Sequence, residues 1–97
     1  MNPCECRVVG FDIDGALTDH PEKFEEVQNK CDVPVGIVSA RPQFLVNGFV
    51  EENNLSPDFA KSSQLKHTEL PEGACYYGSW ERDQLHAALG GWKYEEL

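Results

Sequence analysis

The sequence predicts an α/β fold of the three-layer Rossmann-like kind, a single domain over residues 1–97 built on a central parallel sheet of about five strands. Short apolar runs alternate with stretches of helical periodicity along the whole chain. Strands that alternate with helices call for a parallel sheet with right-handed crossovers. A length of 97 residues suits one domain with a modest core. Polar residues directly follow most of the apolar runs.

Five stretches are interpreted as strands. The clearest is residues 7–11, an apolar run that ends at Phe11 and is stopped by Asp and Gly, as in a strand buried on both faces. Pro57 and Asp58 interrupt the third stretch. The predicted strands in chain order are 7–11, 35–38, 55–60, 74–77 and 92–95.

Four stretches have helical patterns, namely 21–30, 43–53, a short one that Ser62 or Ser63 would cap and that ends at His67 or Glu69, and 81–89. Gly90 and Gly91 end the last one. In the stretches 21–30, 43–53 and 81–89, the spacing of large apolar residues predicts which face of the helix is buried. In chain order these faces are Phe24, Val27 and Cys31; Phe44, Leu45, Phe49 and Val50; and Leu85, Ala88 and Leu89.

The charge of the chain excludes some partners. Seventeen acidic residues against 8 basic ones give a formal net charge of −9, which disfavours non-specific binding to nucleic acid or to an anionic membrane. The charge does not exclude binding of a polynucleotide end at one local site. No apolar run has the length of a membrane span and the N-terminus lacks a signal-peptide pattern, so we expect no membrane partner and a cytoplasmic location. For such a location, free thiols are expected at Cys4, Cys6, Cys31 and Cys75.

Two carboxylates stand directly after the first predicted strand. Asp12 and Asp14 lie at i and i+2, on one face of an ideal strand. Two carboxylates that close repel each other unless a cation or a proton lies between them, and Mg²⁺ prefers oxygen ligands of this kind. The alternative is an ordinary polar turn, because Asp and Gly are turn residues.

Residues 11–18 resemble the first motif of the haloacid dehalogenase superfamily, whose members are mostly phosphatases with an aspartate nucleophile. Residues 35–39 resemble the second motif, an apolar strand that ends in Ser or Thr. The resemblance implies that Asp12 is the nucleophile, that Asp14 is the general acid and base, and that Ser39 binds the phosphate. Ala16 departs from the pattern, since Thr is common there.

The third motif of that family is a lone lysine before or within a helix. Lys61 and Lys66 both qualify by position. Lys61 is the preferred catalytic lysine because it follows an extended stretch and precedes the helix-capping serines. Lys66 is kept as a substrate-binding candidate, and a solvated position on the short helix is its alternative.

Residues 76–83 resemble the fourth motif, with Ser79 where Asp is the commonest residue and Asp83 at the later acid. The resemblance implies the cofactor Mg²⁺, bound through the Asp14 backbone carbonyl and side chains of its neighbours. The metal-binding candidates are Asp12, Asp14, Ser79 and Asp83. Arg41 could bind a second anionic group of the substrate, with a surface salt bridge as its alternative. Trp80 could stack on a substrate base or sugar, with buried packing as its alternative.

The resemblance covers nearly the whole chain and implies a small phosphatase-like member without a cap domain. We therefore expect a Mg²⁺-dependent phosphohydrolase that forms an aspartyl-phosphate at an open site. The gaps between the motifs have no room for a cap, which favours a bulky or nucleotide-type phosphorylated substrate, or a homo-oligomer that covers the site. The alternative is a catalytically weak or inactive phosphate-binding module, for which Ser79 and Ala16 are the evidence.

Overall fold

A computed structural model describes residues 1–97, and it confirms the α/β class and a five-stranded sheet in which all pairings are parallel. The strand order is β3-β2-β1-β4-β5. The strands are β1 (Val9–Phe11), β2 (Val35–Ser39), β3 (Ala60–Ser62), β4 (Cys75–Gly78) and β5 (Lys93–Glu96).

Three α-helices complete the layers, α1 (Glu22–Lys30), α2 (Gln43–Glu52) and α3 (Glu81–Gly90). A π-type turn at Ile13–Leu17 follows β1, and a 3-10 turn at Lys66–Thr68 stands where the short third helix was predicted. None of the helices is long and apolar enough to cross a membrane.

The core is divided between the two faces of the sheet. On one face Phe24 and Val27 of α1 and Val46 and Phe49 of α2 pack against β1 and β2. On the other face α3 packs through Ala87, together with a smaller apolar cluster. The sheet is therefore covered on both sides, which is why β1, β2 and β4 are buried along their whole length.

The order of the strands determines where a site can form. The chain leaves β1 toward β2 on one side and later returns to β4 on the other, so β1 lies at the point where the direction of strand order reverses. In open parallel sheets ligands bind beyond the carboxyl ends of the strands at this switch point. Asp12 follows β1 there, and Ser79 follows β4.

The predicted buried face of α3 is wrong. Leu85 and Leu89 are exposed, whereas Asp83 and His86 are buried. The helix therefore turns polar residues toward the rest of the molecule. On α2 the prediction holds for Phe49, Val50 is half-buried, and Phe44 and Leu45 are exposed.

The prediction of free thiols is also wrong, because the structure pairs all the cysteines. Cys4 is bonded to Cys31, with Cα atoms 4.7 Å apart, and Cys6 to Cys75, with Cα atoms 5.8 Å apart. The bonds join the N-terminal segment to the end of α1 and to the start of β4. Sequence spacing did not show this pairing, since the partners are 27 and 69 positions apart.

Reduction of the disulfides should therefore destabilise the protein. Cross-links that close long loops restrict the unfolded chain, and loss of one native disulfide from a small domain costs roughly 2–5 kcal/mol. We expect a clearly lower midpoint in urea unfolding after addition of dithiothreitol, measured by circular dichroism. The Cys4→Ser/Cys31→Ser and Cys6→Ser/Cys75→Ser proteins separate the two bonds. Four titratable thiols in the native, unreduced protein would contradict the pairing.

Candidate active site

A buried ionic cluster lies at the carboxyl ends of β1 and β4. Nζ of Lys66 is 3.0 Å from Oδ1 of Asp12, 2.8 Å from Oδ1 of Asp83 and 3.2 Å from the hydroxyl of Tyr76. The three N–H groups of the ammonium thus have three partners. The Tyr76 hydroxyl in turn donates to the backbone carbonyl of Val38 at 2.6 Å. The cluster therefore connects three strands of the sheet.

The charges of this cluster do not cancel. Asp12 and Asp83 bring two carboxylates to one ammonium, and all three side chains are buried. Burial raises the pKa of Asp12 from 3.8 to about 7, although the charge of Lys66 acts to lower it, and the nearby Asp83 charge raises it further. Only Oδ1 of Asp12 bonds to Lys66, and Oδ2 accepts no hydrogen bond. A further cation beside Asp12 would relieve the imbalance.

The lysine beside Asp12 is Lys66 and not Lys61, the preferred candidate for the catalytic lysine. Lys61 lies on the edge strand β3 with its side chain half exposed, 3.9 Å from Glu69 and away from the cluster. The error came from the third strand, which was predicted at 55–60 but is formed by Ala60–Ser62. Asp58 occupies the earlier stretch and pairs with Val35 through its side chain and its backbone N–H. A lysine after the end of the true strand is Lys66.

Asp14 is held by Arg41 in a two-pronged salt bridge. Nη2 of Arg41 is 2.6 Å from Oδ1 of Asp14, and Nε is 2.9 Å from Oδ2. The hydrogen bonds from Arg41 lower the pKa of Asp14 from its usual value. The Asp14 carboxyl is therefore ionised at neutral pH in this arrangement, and it can donate a proton only after Arg41 has moved away.

The backbone carbonyl of Asp14 accepts two hydrogen bonds from the segment after β4. The Ser79 hydroxyl donates to it at 2.9 Å and the indole Nε1–H of Trp80 at 2.8 Å. Gly15 makes this approach possible, because its φ of +78° suits glycine and a Cβ there would collide with the Ser79 side chain. The two segments predicted to share the site are thus in direct contact.

Ser39 lies at the predicted edge of the sheet, and phosphate binding by it stays a prediction. It ends β2 at the same edge of the sheet, fully buried, and its Oγ accepts the backbone N–H of Arg41 at 3.1 Å. The hydroxyl stabilises the turn after β2, and Ser39 does not line the cavity described next. Its neighbour Ala40 lines that cavity instead.

An open cavity of about 560 Å³ lies over the cluster. Trp80 lines it and is 58% exposed, so the alternative of buried packing for Trp80 is wrong. Sequence reasoning missed Glu81 and Arg82. Their one signal was that they follow β4, as Asp12 follows β1. The residues that line the cavity are Asp12, Asp14, Ala40, Lys66, Trp80, Glu81, Arg82 and Asp83.

The residues at this edge fit a hard cation by the chemistry of their donors. Asp12 has a buried carboxylate with an unused oxygen, and the Ser79 hydroxyl is a further oxygen ligand, whereas the Asp14 carbonyl can bind a cation only in exchange for its hydrogen bond from Ser79 or Trp80. Asp83 contributes less, because Lys66 and the Ser79 N–H engage its two oxygens. No group of three or more Asp, Glu, His or Cys side chains converges. Most of the ligands of such a cation would therefore be water molecules.

Comparisons of this chain with protein-family models, with curated proteins and with solved structures found no match.

Proposed function

We propose that the protein is a Mg²⁺-dependent phosphohydrolase of the haloacid dehalogenase type, acting on a phosphate monoester through an aspartyl-phosphate. One observation carries the proposal. Asp12 is a buried carboxylate at the switch point of a parallel sheet, it lines an open cavity, and its only hydrogen-bond donor is the buried ammonium of Lys66. A carboxylate in this setting has the features of a covalent nucleophile.

In the first step an oxygen of Asp12 attacks phosphorus, an acyl-phosphate bond forms and the bond from phosphorus to the leaving oxygen breaks. The leaving oxygen takes a proton from Asp14. Water then attacks phosphorus, gives a proton to Asp14, and inorganic phosphate leaves as Asp12 is regenerated. Lys66 offsets negative charge between Asp12 and the transferred group throughout, which is the main demand of phosphoryl transfer.

Arg41 controls whether the Asp14 carboxyl carries the proton that this role requires. While Arg41 holds the Asp14 carboxylate, the pKa of Asp14 stays low and the carboxyl carries no proton. A substrate with an anionic group near Arg41 would compete for the guanidinium, raise the pKa of Asp14 and make it a proton donor. Arg41 therefore remains a substrate-binding candidate, and substrate binding and acid catalysis are coupled through it.

Asp12 and Ser79 would hold the Mg²⁺, which supplies positive charge to the phosphate oxygens when it is bound, and the Asp14 carbonyl would join them only in exchange for its hydrogen bond from Ser79, so that the bond from Trp80 is kept. Asp83 acts mainly on Lys66, whose position it determines together with Tyr76. The cavity is open to solvent, so the substrate or a second copy of the chain would have to exclude water from it.

A panel of phosphate monoesters tests the proposal. We expect release of inorganic phosphate in the presence of Mg²⁺ from at least one member, and loss of release on addition of EDTA with recovery on excess Mg²⁺. A matched panel of phosphodiesters is the control, because a diester differs from a monoester in the geometry around its leaving group and carries less negative charge. No release from any monoester at millimolar concentration would contradict the proposal.

A non-catalytic phosphate-binding module is the second candidate. The salt bridge between Arg41 and Asp14 favours this second candidate, because it keeps Asp14 from carrying the proton that the leaving oxygen needs. Ser79 favours it too, because it stands where a carboxylate would bind the metal more strongly. This module would bind phosphate compounds in the same cavity without release of phosphate. Calorimetric binding without turnover on the same panel distinguishes the two.

A further inference from the structure

We propose that the cavity binds a nucleoside monophosphate, with the base stacked on the indole face of Trp80 and the phosphate beside Arg82 and Lys66. The inference rests on the proposed function for the place of the phosphate and adds the class of substrate. Its evidence is the way in which Trp80 is held.

Trp80 is exposed but its ring is not free to turn. Its side chain is 58% exposed, yet its Nε1–H donates to the Asp14 carbonyl at 2.8 Å. The close approach of Ser79 to Gly15 holds the backbone at the same place. A large ring that is oriented before binding loses little conformational entropy when a flat group stacks on it.

The hydrogen bond also determines what the ring can recognise. Because the indole N–H is used by Asp14, Trp80 has no donor to offer to the edge of a base. Recognition is then through the ring face, and stacking of this kind tolerates any base. The cavity should therefore prefer nucleotides over sugar phosphates and discriminate weakly among bases.

The anchored ring of Trp80 lines the same cavity as Asp12, the proposed nucleophile. Asp14, which the indole contacts, is two residues from Asp12, and both line the same cavity as Trp80. A volume of about 560 Å³ can hold a mononucleotide. Other exposed apolar side chains, among them Leu85 and Leu89, do not line it. Trp80 is therefore the aromatic surface that a base at this site would meet.

Arg82 supplies a cation to the same cavity. Arg82 lies two residues after Trp80, it is exposed, and it forms no salt bridge. The other cations near the cavity are already paired. Arg41 forms a salt bridge with Asp14, and Lys66 forms salt bridges with Asp12 and Asp83. An unpaired guanidinium binds a phosphate with two parallel hydrogen bonds. Arg82 is thus a phosphate-binding residue that sequence reasoning did not identify.

A free mononucleotide and the phosphorylated end of a polynucleotide present the same base and phosphate. The net charge of −9 disfavours the polynucleotide, because every additional phosphate would approach a predominantly acidic surface. We therefore assign the site to the free nucleotide.

Calorimetry in buffer with EDTA, where turnover is suppressed, tests the assignment with AMP and ribose 5-phosphate. Stacking of one base contributes roughly 1–3 kcal/mol, so the wild type should bind AMP about 5- to 150-fold more tightly than ribose 5-phosphate. Trp80→Leu should abolish this difference and leave the ribose 5-phosphate affinity unchanged. Trp80→Phe, which keeps an aromatic face but loses the N–H that bonds to Asp14, should keep only part of it, and Arg82→Gln should weaken both ligands.

Leu85→Ala is the matched control, an exposed apolar side chain of the neighbouring helix, and it should leave both affinities unchanged. Equal affinity of the wild type for AMP and ribose 5-phosphate would overturn the inference, as would an equal loss of both in Trp80→Leu. Tighter binding of a 5′-phosphorylated hexanucleotide than of AMP would overturn the assignment to the free nucleotide. Failure of the proposed hydrolysis would be seen separately, as AMP binding without phosphate release in Mg²⁺.

Discussion

Replacement of Asp12 by Asn is expected to lower phosphate release by about 10⁴-fold or more, the loss typical for removal of a covalent nucleophile. An amide has the same shape as the carboxylate but does not attack phosphorus. Lys66 keeps its contacts with Asp83 and Tyr76 in this variant, so the protein should still fold. Initial rates with the best substrate of the panel, alongside circular dichroism, measure the effect.

Asp19→Asn is the control for this change, because it makes the same substitution at an exposed position of the loop after β1. It should leave the rate unchanged. A folded Asp12→Asn protein with undiminished release would show that Asp12 is not the nucleophile.

The Asp12→Asn variant should also differ from the wild type in how its stability depends on pH. The pKa of Asp12 is raised from 3.8 in the unfolded chain to about 7 in the folded one. Between these values the folded protein binds more protons at this site than the unfolded chain, so the contribution of Asp12 to stability falls as the pH rises from about 4 to about 7. We expect the difference in unfolding free energy between Asp12→Asn and wild type to move in favour of the variant over this range in metal-free buffer.

Lys66→Met should cause the largest loss of stability from a single substitution in the site. It leaves the buried carboxylates of Asp12 and Asp83 without their shared cation, and the loss of one partner from a buried ionic cluster costs roughly 3–5 kcal/mol. We expect a correspondingly lower urea midpoint and loss of phosphate release. Unfolding is followed by circular dichroism at two pH values, because protonation of the carboxylates at pH 5 should restore part of the stability.

Lys61→Met is the matched control for this prediction. Lys61 is half exposed and only a 3.9 Å contact with Glu69 would be lost, so the change should stay within about 0.5 kcal/mol. A larger effect of Lys61→Met than of Lys66→Met, on stability or on rate, would restore the original preference for Lys61.

Local patterns predicted much of this molecule. The run that ends at Phe11 formed a strand buried on both faces, since an apolar run stopped by Asp and Gly depends only on neighbouring residues. The alternation of strands and helices then required a parallel sheet, and the carboxyl ends of parallel strands lie at one edge. The segments after β1 and β4 were thereby predicted to lie together, and the Ser79 hydroxyl does donate to the Asp14 carbonyl.

Helix faces were predicted less well. Apolar periodicity placed Leu85 and Leu89 of α3 inside, but the helix packs with Asp83 and His86 inward. On that side of α3, Asp83 bonds to Lys66 and Ala87 packs into the smaller apolar cluster. Both contacts involve residues of separate elements, which the periodicity of α3 alone does not indicate.

Sequence alone determined the class of the fold, the edge at which polar groups collect and the position of Asp12 at that edge. Only the tertiary structure decided which lysine reaches Asp12, which arginine holds Asp14, where the Trp80 ring lies and which cysteines pair. The physical reason is the same in each case. A strand or helix depends on neighbours along the chain, whereas a side-chain contact depends on the positions of two or three separate elements, and these are determined only when the whole core packs.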